Sequence, residues 1–146
     1  MGIRTLATVS MLALGLSVAG TASANPSLAE RCKLNDNYQA VTVQPFHTDE
    51  NFGLGTYTQL KGAQVYVSAK PGLTGPWITL SVEHELARLS KSDDAMCRPS
   101  VKDVKVSVTP AGGGFWVFLS ARDENSAAEL LRWAQNIVPV QQMAAK

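Results

Sequence analysis

The stretch SVEHELAR, residues 81–88, carries His84 and Glu85 at the first two positions of the zinc-protease pattern H-E-x-x-H. That pattern works because side chains four apart share a helix face and give two imidazoles to one metal. Here the second ligand position is Arg88, a cation, and the only other histidine in the chain is His47. The zinc-protease reading is therefore excluded. His47 with Asp49 and Glu50 offers an oxygen-rich cation site. Alternatively, His47 and His84 offer an acid–base pair, with Glu83 as a neighbouring carboxylate. Acid–base work needs a group with pKa near the operating pH held within reach of the substrate, which spacing alone does not supply. The simpler reading is two solvated surface histidines.

The triple glycine 112–114 resembles a phosphate cradle only superficially. Such cradles lead into a helix N-terminus. Here Phe115-Trp116-Val117 follows, a strand-like run, so the glycines are expected to form a hairpin turn. There is no G-x-S-x-G, and no motif calls for a metal or other cofactor. Cys32 and Cys97 lie far apart with no C-x-x-C between them. In an exported chain an even cysteine count predicts a structural disulfide.

Export is read from the first 24 residues. Arg4 is the positive n-region, residues 6–18 are apolar, and Ala22-Ser23-Ala24 is an A-x-A cleavage site. Ser10, Gly15 and Ser17 interrupt the run, which falls short of the roughly 20 apolar residues of a membrane span. Residues 25–146 are then one exported domain, periplasmic or secreted. Without Arg4 its basic and acidic residues are equal, 12 of each. That balance provides no basic field for nucleic acid.

The elements that must position these residues follow from periodicity. Residues 26–34 suggest a short helix, and 39–46 a strand ending near Pro45. Residues 47–55 read as a polar loop. Gln64 to Ala69 alternates as a strand, with Gly62 marking a bulge or turn. Residues 101–121 read as a hairpin around 109–114. Ser126 and Glu129 form a capping box, followed by Ala127, Leu130, Leu131, Ala134, Ile137 and Val138 on one helix face, ended by Pro139. In residues 77–84 two periods compete. A helix would put Ile78, Val82, Leu86 and Leu89 on one stripe and expose Leu80. A strand would place Ile78, Leu80 and Val82 on one sheet face. The alternation and the β-formers favour the strand. The expected fold is α+β: an antiparallel sheet of about four to five strands under the C-terminal helix, with a short N-terminal helix tied on by Cys32–Cys97.

One strand breaks the usual division into wet and dry faces. Trp116 and Phe118 alternate with Phe115, Val117 and Leu119, and Tyr66 joins them on the otherwise polar face. Either the N-terminal helix covers this patch through Leu28 and Ala29, or the patch receives a partner. In the 47–55 loop, Phe52 has no evident core to join and reads as a second anchor. The functional expectation is an exported, non-enzymatic factor that binds an envelope or secreted protein through Phe52, Tyr66, Trp116 and Phe118. It would act as an inhibitor, an immunity factor or an assembly adaptor. The alternatives are a small secreted hydrolase using His47 and His84, and a carrier of a small ligand or metal.

Overall fold

A computed structural model describes residues 28–34 and 38–138. The expected signal peptide, the first two residues of the expected N-terminal helix, and the tail from 139 onward lie outside the described residues. The order is α1 (Leu28–Arg31), β1 (Ala40–Asn51), β2 (Thr56–Ser68), α2 (Gly75–Ser90), β3 (Lys105–Ala111), β4 (Gly114–Ser120) and α3 (Glu124–Ile137). The four strands form one sheet in the order β1-β2-β4-β3, with every neighbouring pair antiparallel. The architecture is the expected α+β one, with a C-terminal helix on the sheet and a short N-terminal helix joined through Cys32–Cys97. No described helix is long and apolar enough to cross a membrane.

The strand expected at 77–84 is instead the first half of α2. Thr74 caps the helix by accepting from the Trp77 N–H, and Pro76 occupies its first turn, where a missing N–H is harmless. Ile78 and Val82 satisfy both periods, so only Leu80 separates them. It lies 67% exposed, as the helical stripe requires, while Ile78, Val82 and Leu89 are buried. Scattered exposed leucines are ordinary on protein surfaces and give little force against a helix. The sheet accordingly has four strands, and Thr79, Ser81 and Glu83 belong to α2 rather than to a wet sheet face.

Residues 47–51, expected as loop, continue β1. Polar cross-strand pairs hold this extension: Thr58 donates to Asp49 at 2.7 Å, Thr56 to Asn51 at 2.8 Å, and Lys61 pairs with Glu50 at 2.8 Å. Polar side chains in matching register can thus extend a hairpin where no apolar alternation announces it. The expected irregularity at Gly62 is a bulge. Phe46 pairs with Gly62 and His47 with Leu60, leaving Lys61 as the extra residue. The β3–β4 turn is tighter than expected, with Gly113 at φ 78°.

Helix α3 begins one turn earlier than the expected capping box. Asp123 is the cap, accepting from the Ser126 N–H at 2.9 Å and from the Ser126 hydroxyl at 2.9 Å. Ser126 is therefore a donor to the cap rather than the cap, and Glu129 instead accepts from Ser100. The helix ends at Ile137, and Val138 turns extended, as a residue before proline must. The bonds from Ser126 hold the Asp123 carboxyl below its ordinary pKa. A depressed folded-state pKa stabilises the fold above the unfolded-state value, and the effect is lost as pH falls through the folded-state value. Melting temperature should therefore fall on acidification from about pH 4. Asp123→Asn should flatten that part of the profile, because an amide caps without titrating. An unchanged acid limb in Asp123→Asn would remove the cap from this account.

The core lies between the sheet and the helices. Ala40, Ala63, Val65, Val67, Val117 and Leu119 are the buried apolar sheet residues, and Val106 and Val108 are half-buried beside them. α3 packs mainly on β2 and α2 on β3. A second cluster gathers Cys32, Cys97, Leu89 and Ile137, with Leu28 and Leu34 against it.

Candidate functional site

The uncovered face of the sheet follows from the register. Val65 pairs with Val117 and Val117 with Val108, all facing the helices. The alternate residues face away: Tyr66 pairs with Trp116, and Gln64 with Phe118. Thr109 and Ser107 continue these rows on β3. Tyr66 and Trp116 meet edge-on with ring centres 5.2 Å apart. Phe46, absent from the sequence reading of this patch, packs on Phe118 with centres 4.8 Å apart. Its place at the bulge brings it across β2, and nothing in its local pattern marks it. The Tyr66 hydroxyl donates to the Gly112 carbonyl at 2.6 Å, fixing the ring against the β3–β4 turn.

The N-terminal helix does not lie on this face. Leu28 packs against the disulfide cluster on the helical side. Tyr66, Trp116 and Phe118 are each half-buried, and the ring contacts given above are with one another and with Phe46. Phe52 is 65% exposed at the β1–β2 turn, beside fully exposed Leu54. It stands opposite Gly55, eleven residues along β2 from Tyr66, or roughly 35 Å at about 3.3 Å per residue. The sequence-derived anchors are therefore two sites, the sheet face and the hairpin tip. β4 pairs with β2 only over Gly62 to Ser68, so the rest of the hairpin projects as a two-stranded arm.

His47 lies on β1 paired with Leu60, and His84 lies exposed on α2. The depression beside His84 is lined by Ala87, Arg88 and Lys91, without His47. Asp49 and Glu50 are engaged by Thr58 and Lys61. Among the described residues, no three His, Cys, Asp or Glu side chains converge as a metal site. Arg88, at the position where the zinc pattern needs histidine, pairs with Glu85 on the preceding turn. It also donates to the Cys32 and Lys33 carbonyls at 2.8 and 2.9 Å, tying α2 to the segment around the disulfide. The hydrogen bond to Glu85 raises its already high pKa, so it stays charged.

Against protein-family models, curated proteins and solved structures, the chain finds no match. The functional reading therefore rests on its own geometry.

A second feature lies on the opposite side of the sheet. Between the sheet and the two long helices is an open cavity of about 410 Å³. Its floor is Val65, Val67, Val117 and Leu119; Leu86 and Trp133 wall it, and Tyr38, Gln39, Glu85 and Lys70 supply polar atoms. Burial, and secondarily the Glu85 charge, pushes the Tyr38 phenol up to about 12, so it remains an O–H donor at neutral pH. Sequence patterning could not show this cavity, because every apolar residue in it also reads as ordinary core.

Proposed function

We propose that this chain is an exported factor that binds a protein of the cell envelope or a secreted protein through the aromatic face of its sheet. The reading rests on one observation: Phe46, Tyr66, Trp116 and Phe118 form a row on the sheet face that none of the described helices covers. Aromatic rings of this kind, held rigid by one another, are the usual anchors of protein interfaces. The sheet edges support a face-on contact. β1 carries Pro45 at one edge, and β3 carries Lys105 and Pro110 at the other. Proline and lysine on edge strands discourage strand addition. The signal-like leader, the disulfide and the equal charge of residues 25–146 are compatible with an extracytoplasmic setting. The exposed hairpin tip at Phe52 would give a second contact to the same partner.

The test compares residues 25–146 with the double variant Trp116→Ala/Phe118→Ala as bait in an envelope extract. The expected result is a discrete partner retained by the unaltered chain, with affinity reduced at least 30-fold in the double variant, about 2 kcal/mol. Phe52→Ala should weaken binding less. Near-unchanged circular dichroism in the variants separates lost contact from lost fold. Equal retention by the double variant sinks the assignment of the sheet face.

A further inference from the structure

Protein interiors are packed to crystal-like density, and voids larger than a water molecule are few. The cavity between the sheet and the α2/α3 layer is instead of the size that holds small molecules. Its floor and walls are aliphatic and indole surfaces, with no buried polar or charged residue among the described ones. Such a space takes a hydrocarbon body and rejects a polar one, because a polar group there would lose its water without gaining a partner. The polar atoms lining the cavity select the head group. Glu85 is already neutralised by Arg88, which is held in turn by two backbone carbonyls. Lys70 has no ion-pair partner among the described residues, and Tyr38 offers a hydroxyl donor. Gln39 adds a carboxamide that can donate or accept and so does not select between head groups. The charge balance therefore favours an anion: one uncompensated ammonium and no uncompensated carboxylate. A carboxylate accepts from Lys70 and Tyr38, whereas an ammonium head, even donating to the Gln39 amide oxygen, would be repelled by Lys70 and would compete with Arg88 for Glu85.

We infer that the cavity is a binding site for an aliphatic monocarboxylate, its chain lying on Val65, Val117 and Leu119 between Leu86 and Trp133, and its carboxylate meeting Lys70 and Tyr38. This site is independent of the partner-binding reading, since it opens on the other side of the sheet.

Decanoate, decanol and decylamine are the probes, used below the concentrations at which they self-associate, with folded, disulfide-bonded residues 25–146. Calorimetry should show one decanoate bound per chain, with affinity rising along the series hexanoate, octanoate, decanoate. Decanol and decylamine should bind at least tenfold more weakly. Lys70→Gln, at an exposed position, should reduce decanoate affinity about fivefold and leave decanol unchanged. Leu86→Trp should block both. Because Leu86→Trp could disturb the core, the head-group series and Lys70→Gln carry the test without it. The Trp116→Ala/Phe118→Ala variant should bind decanoate normally, which separates this site from the sheet face. No binding of decanoate, equal binding of decanoate and decanol, or decanoate binding only after truncation at Val138 would each overturn the inference. The last outcome would make the chain's own end the occupant.

Discussion

Replacing Cys32 and Cys97 together with serine should lower unfolding free energy by about 4 kcal/mol, the chain-entropy value for a loop of this span. The bond joins residues 65 apart in sequence with Cα atoms 5.4 Å apart, so its removal releases a long loop in the unfolded chain. The folded state feels the loss as well. α1 has four residues and no buried residue of its own, so it cannot be stable in isolation. What fixes it is the disulfide, the Arg31–Asp94 pair at 2.7 Å and the Arg88 bonds to Cys32 and Lys33. Urea denaturation of the double variant should show a lower midpoint, with the slope reporting whether the denatured state has expanded. Hydrogen exchange should rise first in residues 28–34 and at the start of the 92–101 loop. A loss below about 1 kcal/mol would show that these non-covalent ties suffice, and that the entropic model overstates the bond in this chain.

Gly62→Ala should cost a comparable amount, a large share for a domain whose total stability is typically about 5–15 kcal/mol. Gly62 has φ 154°, and an added Cβ would stand 2.0 Å from the Leu119 carbonyl oxygen and 3.2 Å from Leu130 Cδ2. The first contact is with backbone of the adjacent strand, so no side-chain rotation relieves it. β2 and β4 would have to separate at the bulge, or α3 would have to lift from the sheet. Backbone strain of about 1–3 kcal/mol adds to an overpacking penalty of similar size, for a combined loss of about 2–6 kcal/mol. Thermal melting of the purified variant measures it. Gly112→Ala, with open space around it, is the control and should change the midpoint little. A Gly62→Ala protein melting within a few degrees of the unaltered chain would mean that the bulge relaxes freely.

Some of this was legible from residue types alone. The alternation of Val65 and Val67 on one strand and of Val104, Val106 and Val108 on another marked the dry sheet face, and the 3.6-residue spacing in 127–137 marked the helix above it. Both signals are strong because one side of each element must leave water. Residues 77–84 failed because Ile78 and Val82, four apart, fit a helix stripe and a strand face equally, leaving one exposed leucine to decide. Thr74 and Pro76 held the answer, being a cap and a first-turn proline that read as turn residues when taken without the helix. Residues 47–51 failed for the opposite reason. Their pairing with 56–61 is polar, and it is recognisable only once the two strands are laid in register.

The functional features divide along the same line. The surplus of aromatic residues on one strand, the cysteine pair and the vacancy at the second zinc-ligand position are properties of residue order, and the sequence determined them. Three further matters required the tertiary structure. Phe46 joins Phe118 only because a bulge at Gly62 resets the register of β1 across β2. Phe52 parts from that row because the hairpin runs on past β4. The cavity arises because α2 and α3 rest on different strands and leave the middle of the sheet between them. Each depends on distances between segments remote in sequence. A periodic pattern records which side of an element is apolar, but not which neighbour will meet it or how closely.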